Sequence, residues 1–383
     1  MKFVFWAAGA IIAYAYVGYL AFLWLRAKLR PRPAMRGRFE PLVSIVMVVR
    51  NEERVVERKI RNLLALVYPP EKLQVVIVSD GSTDGTEAIL HKQASNPQVQ
   101  IILNQLARGK AQGLNDGISI AQGDIIVFTD ARQSIEPDAV RFLMENFADP
   151  NVGAVSGELM LGDPASGEIG RGMGLYWQIE KHVRQLESAT ASVVGATGAI
   201  YAVRRDLVPE VPPDTILDDV FIPLHVAKEG YRVLFDTRAR AWDDPDLGAE
   251  REFRRKVRTL SGNYQLLQLA PWLLGSENPL RSALISHKLL RLIVPFALIA
   301  ALGSAWFIPE TFYRAAFWTQ LCFYAFSLLE FSGWKLGALS RLSDIAYTFV
   351  ALNAAALVAF SKFITGRKAV WMHAQVPKEA HLP

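Results

Sequence analysis

The sequence predicts an α/β domain with a mostly parallel, Rossmann-like sheet, flanked by transmembrane helices, and three observations carry that expectation. From residue 3 to residue 25 the chain runs FVFWAAGAIIAYAYVGYLAFLWL without a charge, and about 20 such residues are what a helix needs to cross a bilayer. Residues 41 to about 250 then alternate short β-branched runs with amphipathic stretches and turn residues, the signature of strands and helices in succession. Beyond about 260 the apolar character returns, with candidate spans near 289–308, 312–332 and 345–365.

Composition narrows the function classes. Of 383 residues 51% are hydrophobic, the net charge is +5, and there is one cysteine, so a disulfide framework is excluded. The basic residues gather beside apolar segments, which points to anionic headgroups or a phosphate substrate and not to nucleic acid. The first apolar run is too long for a secretory signal, and Arg26 stands where a small-residue cleavage site would be, so the run reads as a retained helix over 1–30. Arg26, Lys28, Arg30, Arg32, Arg36 and Arg38 follow it and only Lys2 precedes it, which places the next domain in the cytoplasm of a multi-pass inner-membrane protein. Three carboxy-terminal spans starting from that side would carry Arg367, Lys368 and Lys378 across, against the same rule, so one span is expected to be re-entrant or interfacial. In the basic segment 251–288, QLLQLAPWLL and ALISHKLL are too short and interrupted to span, and are expected to lie in the interface.

Within the α/β domain, VSIVMVV (43–49), VVIVS (75–79), VQIIL (99–103) and DIIVFTD (124–130) read as strands buried on both faces. ERVVERKIRNLLAL, TDGTEAILHKQAS and KAQGLNDGISIA read as the helices between them, and crossover helices imply parallel pairing with ligand loops at the carboxyl ends of the strands.

Five groups of residues could carry chemistry. Asp80, in the turn VSDGSTDGT, either supplies turn hydrogen bonds or faces the crevice as an acceptor for a base or ribose; Thr83 or Asp84 is the expected cap of the next helix. Asp130 closes DIIVFTDAR at the rim of the sheet, where it either caps a loop or holds a hard divalent cation bridging phosphates. Lys110, at the start of a helix in RGKAQGLN, is either a plain solvated lysine or, since a cation has no dipole reason to sit there, a group that a diphosphate would welcome. Asp218 and Asp219 interrupt an apolar pattern in ILDDVF, which costs free energy unless a ligand or a task offsets it; an N-cap with a first-turn acid is the alternative. Asp219 is the favoured base of the pair. Lastly, Arg251, Arg255 and Arg258 share a helical face suited to a pyrophosphate or to lipid phosphates. HExxH, paired Cys/His ligands, the P-loop and GxSxG are all absent, which removes metalloprotease, zinc, P-loop and serine-hydrolase readings.

Taken in order, VSIVMVVRNEE, VSDGSTDGT, RGKAQGLN, VFTDAR, GATGAIYAVRR, ILDDV and RRKVRTLSGNYQ resemble the membrane-embedded glycosyltransferases of family 2, and the flanking helices resemble synthases of hyaluronan, cellulose and poly-N-acetylglucosamine. The resemblance implies the GT-A fold over 41–250 and a sugar-nucleotide donor, with Asp80 reading a uracil-type base and Lys110 near the nucleotide. It implies Asp130 as the first carboxylate of the DxD metal motif, Asp219 as catalytic base and Arg258 as the arginine of QxxRW. Arg132 replaces the second aspartate of DxD, leaving the metal-ligand count open, and its guanidinium is suited to the diphosphate. Arg255 and Thr259 replace the glutamine and tryptophan of QxxRW, so processivity is not implied.

The expected reaction is an inverting transfer, giving a β-linkage from an α-linked donor, to a saccharide or lipid-linked acceptor at the membrane surface, with Mg2+ or Mn2+ as cofactor. A polyprenyl-phosphate acceptor and a non-catalytic nucleotide-sensing scaffold are the alternatives. Whether the carboxy-terminal helices need a secretion or translocation partner stays open in the sequence.

Overall fold

The computed structural model describes residues 1–162, 175–243, 249–329 and 338–366. The expectations for Arg367, Lys368, Lys378 and the tail beyond Gly366 lie outside these residues. The chain divides into two units, one of residues 35–160 and 195–243 among those described, the other of residues 1–34, 161–194 and 244–367.

The first unit is built on an eight-stranded sheet of β1 (Val43–Val49), β2 (Leu73–Asp80), β3 (Val99–Asn104), β4 (Ile125–Phe128), β5 (Ser134–Ile135), β6 (Val152–Leu161), β7 (Tyr201–Arg204) and β8 (Arg232–Asp243), in the order β3-β2-β1-β4-β7-β6-β8-β5. Every residue of β1 and β2 is buried, as their unbroken β-branched runs require of strands covered on both faces. β1 pairs parallel with β2 and with β4, and β2 with β3, because the helices Val56–Leu64, Thr86–His91 and Lys110–Ile120 make the crossovers. The rest of the sheet adds antiparallel partners, β7 to β4 and β6, and β5 to β8.

The chain runs outward from β1 to β3 and then returns to set β4 on the other side of β1. Such a reversal opens a crevice outside the carboxyl ends of the two central strands, so the loops after β1 and β4 become the natural site. The Lys110–Ile120 helix lies close against β1. A Cβ at Gly113 would come 2.7 Å from Val48, and one at Gly117 would come 2.7 Å from Val46, so glycine alone permits this approach.

In the second unit three helices are long and apolar enough to cross a membrane: Lys2–Leu29, Arg281–Trp306 and Leu342–Ile364. The ALISHKLL segment, expected in the interface, forms the first turns of the Arg281–Trp306 run, so that span starts earlier than 289. The run expected over 312–332 appears as a shorter helix, Thr311–Ser327. Ala8 meets Ala297 and Ala301, a small-residue contact that lets membrane helices approach closely. The Leu175–Thr190 helix also belongs to this unit, packing Val183 against Tyr19 and Leu23, so the expected 41–250 domain is interrupted. The basic run lies on the Ala249–Leu269 helix, whose Val257 packs on Ala355 and Ala359.

Candidate active site

The loops after β1 and β2 are stitched together by side chains. Asn51, at a φ of 54°, accepts the Thr83 amide at 2.7 Å, and its own amide donates to Ser82 Oγ at 3.2 Å. Glu53 accepts the Gly85 amide at 2.8 Å, and Asp84 accepts the amides of Glu53 at 3.2 Å and Thr86 at 3.0 Å. The N-cap of the Thr86–His91 helix is Gly85 and not the expected Thr83 or Asp84, and Asp84 bonds the first helical amide from one residue further out.

Asp80 ends β2 as expected but does not face an open crevice, being 0% exposed. Its Oδ1 accepts the Arg108 amide at 2.7 Å and its Oδ2 the Gly109 amide at 2.9 Å. Amides leading into a helix have no backbone acceptor of their own, and one carboxylate satisfies both. Asp80 therefore fastens the turn in which Gly109, at a φ of 94°, precedes Lys110.

Lys110 is the centre of the site. Its ammonium lies 3.0 Å from Asp130 and 3.2 Å from Asp218. Burial alone would push the lysine pKa down, but the charges of Asp130, Asp218 and Asp219 outweigh it and raise the pKa. The reason for a cation at this helix start, invisible in the sequence, is these carboxylates. Burial works against the charge of Asp130 as well, and Lys110, then Arg132 and Lys59, overcome it and hold the carboxyl below its usual range. Asp130 remains 37% exposed and Asp218 only 5%.

Asp219 Oδ2 accepts the Gly198 amide at 3.1 Å, a bond that favours the ionised form. A Cβ at Gly198 would lie 3.3 Å from Asp130 Oδ2 and 3.6 Å from Asp219 Oδ2, so glycine keeps open the space toward which both carboxylates turn. β7 brings this glycine into place by pairing Tyr201 with Phe128, whose rings stack at 4.8 Å. Burial, then the charges of Asp218, Asp219 and Asp130, drive the Tyr201 hydroxyl pKa far up, so this group stays protonated beside the acids.

The structure thus gathers Lys110, Asp130, Asp218 and Asp219, with Asp80 beneath the turn that carries Lys110. Arg132 is exposed beside them in sequence, and its carbonyl accepts from Arg58 at 3.3 Å. Arg255 and Arg258 lie on the Ala249–Leu269 helix of the other unit.

Sequence reading missed Lys59 and Glu52. Lys59 is fully buried and donates to Thr129 Oγ1 at 2.8 Å and to the Gln133 carbonyl at 2.7 Å, and burial lowers its pKa to about 7. Three residues on, Asn62 pairs with both the amide and the carbonyl of Ile135 at 2.8 Å. One helix face therefore holds the loop that presents Asp130. The signal was there: Lys59 falls in phase with the buried Val56, Ile60 and Leu63. Glu52, after β1, has its pKa raised by burial and by Asp130 and Asp84, with Arg132 opposing.

Among the described residues no three His, Cys, Asp or Glu side chains converge as a metal cage. Asp130 and Asp219 are partly exposed, whereas Asp218 is buried. This donor set fits a hard divalent cation that takes one or two carboxylates and completes its shell with substrate phosphates and water.

Residues 44–211 match the family described as Glycosyl transferase family 2. The chain is 26% identical over 230 residues to the poly-beta-1,6-N-acetyl-D-glucosamine synthase of Staphylococcus aureus (strain COL), covering 59% of this chain and 55% of that protein. It is 24% identical over 235 residues to the synthase of the same name from Staphylococcus epidermidis, covering 60% and 56%. The chain spans about half the length of these curated relatives. In three dimensions it resembles a mannosyltransferase from Pyrobaculum calidifontis, solved in complex with GDP-Man and Mn2+, with a TM-score of 0.73, 22% identity, and coverage of 95% of this chain and 100% of that one. The fold is GT-A-like, and the family match falls on the residues that build β1 to β7.

Proposed function

We propose that this chain transfers a sugar from a nucleotide sugar to a hydroxyl of a saccharide or lipid-linked acceptor at the inner membrane, with inversion at the anomeric carbon. One observation carries the reading: Lys110 held at 3.0 and 3.2 Å by Asp130 and Asp218, with Asp219 acting on the same ammonium. Carboxylates and cations side by side at a partly open rim, Asp130 and Asp219 with Lys110 and Arg132, suit a site that takes up a cation together with a diphosphate. The curated relatives, named as synthases of a β-linked N-acetylglucosamine polymer, support an N-acetylhexosamine or hexose donor and a β-linkage.

In this reading Asp80 sets the turn at Arg108–Lys110 that faces the nucleotide. Lys110 and Arg132 lie against the diphosphate and offset the charge that builds as it departs, the kind of electrostatic assistance that acts strongly in a low-dielectric site. A divalent cation held by Asp130, when bound, supplies further neutralisation of the same phosphates. Asp219 accepts the acceptor hydroxyl proton as that oxygen attacks from the face opposite the leaving group, so no covalent enzyme intermediate is formed and the configuration inverts. Asp218, nearly buried, holds Lys110 in place. Arg255 and Arg258 are suited to phosphates of the donor or of lipid.

The test is nucleoside diphosphate release from a panel of UDP- and GDP-sugars with Mn2+ or Mg2+, with mass analysis of the product. Asp219→Asn is expected to lower turnover by roughly 10²–10⁴-fold, the usual worth of a general base, while nucleotide binding by calorimetry stays within twofold. Near-wild-type turnover in this variant would remove Asp219 from the chemistry.

A further inference from the structure

The Asp218–Lys228 helix carries Pro223 in its interior. A residue there would normally donate its amide to the carbonyl four positions back, which is that of Asp219. Proline has no amide hydrogen, and its ring crowds that carbonyl. The Asp219 carbonyl is therefore released from the helix, and it accepts the Ala196 amide at 2.7 Å. Two residues on, the Gly198 amide donates to the Asp219 carboxylate at 3.1 Å. The 196–198 loop thus grips one residue twice, once on its main chain and once on its side chain, and the main-chain grip is on the carbonyl that Pro223 leaves without its helical donor.

We propose that Pro223 is a positioning residue: by freeing the Asp219 carbonyl for Ala196 it clasps the 196–198 loop to the helix start and fixes the Asp219 carboxylate against Gly198. The proposal deepens the reading of Asp219 as the base and rests on it for its catalytic consequence, whereas the clasp itself stands on the two hydrogen bonds. Pro223 touches no reacting atom in this account. Interior proline is otherwise a cost to a helix, so a helix retaining it beside a site residue is a case where a local rule is broken at a place of function.

Pro223→Ala restores an amide that competes with Ala196 for the Asp219 carbonyl. In the full chain in detergent, the expected result is hydrogen exchange at least about tenfold faster across 196–198, kcat about tenfold lower, donor KM within twofold and a thermal midpoint no lower than wild type. A residue acting only on stability would lower the midpoint and leave that split unmoved. In an Asp219→Asn background the same substitution is expected to change kcat by less than twofold, because the clasp then has no base to position. Unchanged exchange at 196–198 overturns the clasp. Faster exchange with an unchanged kcat overturns its catalytic purpose. Full activity of Asp219→Asn alone sinks the reading of the base and leaves the clasp to be judged by exchange.

Discussion

Two clusters in this molecule follow one plan and end differently. In the sheet unit, Lys110 stands among Asp130, Asp218 and Asp219. Among the helices of the other unit, His287 places Nδ1 at 2.8 Å from Glu187 and Nε2 at 2.9 Å from Glu180. Tyr19 also donates to Glu187 at 2.8 Å, and Arg291 to Glu180 at 2.7 Å. The second cluster is closed: His287 is 3% exposed, and Arg291 at 2.7 Å and Arg184 at 3.9 Å also reach Glu180. In the first, Asp130 and Asp219 stay partly exposed. Buried charge alone does not mark a candidate site; charge left open to solvent is what separates the two clusters. These contacts tie the helices Lys2–Leu29, Leu175–Thr190 and Arg281–Trp306 to one another.

Replacing the two central cations is the most direct way to break this comparison. Lys110→Met removes the group proposed to lie against the diphosphate and leaves Asp218 buried without it. Loss of one such electrostatic partner costs roughly 10²–10³ in turnover, and breaking a buried pair destabilises by roughly 3–5 kcal/mol. Steady-state kinetics and chemical unfolding should both register the change, and a variant with wild-type kcat/KM would mean the cluster is structural after all. His287→Phe should give the opposite profile. Glu180 and Glu187 lose a shared partner, so stability falls by a similar few kcal/mol, while turnover per folded molecule stays within twofold at a temperature where the variant is folded. If kcat instead fell with stability unchanged, the closed cluster would have a part in the reaction.

How much of this was legible in the sequence follows from what sequence patterns record. Asp130 and the Asp218–Asp219 pair stood out because carboxylates broke runs that were otherwise apolar, and β1, β2 and β4 stood out because they are buried on both faces; β3, expected to be buried likewise, lies at the sheet edge with only Val99 buried. The antiparallel half of the sheet did not, since its pairing depends on which strands the fold brings together and not on local composition. The true surroundings of Lys110 were hidden for the same reason: its partners lie 20 and 108 positions away in sequence, on other loops. Asp80 showed its place at the end of β2 but not its partners, which are amides that any residue could offer. His287 was read within a short interfacial segment because a charged or polar run looks like a helix break until its acids, contributed by another helix, are seen.

Lys59 sharpens the comparison with the smallest expected effect, because it is a third buried cation with no acid in hydrogen-bonding contact among its described partners. It makes two donor bonds, to Thr129 and the Gln133 carbonyl, and a neutral amine still has two N–H groups to give. Burial is what lowers its pKa to about 7, with Asp130 opposing, so the folded state releases this proton well before the unfolded chain does. Between about pH 7 and the ordinary lysine value the unfolded state binds more protons, and stability from this group therefore rises with pH across that window; below it both states are charged and the burial penalty is fully present. Lys59→Met abolishes the titration. The stability of wild type relative to this variant should accordingly climb from pH 7 to pH 9, by at most about 1.4 kcal/mol per unit, as read from unfolding midpoints of the two proteins in the same detergent. A gap that is flat or shrinks over that range would mean that Lys59 stays charged under the 129–133 loop, and that the loop presenting Asp130 is held by an ammonium rather than by an amine.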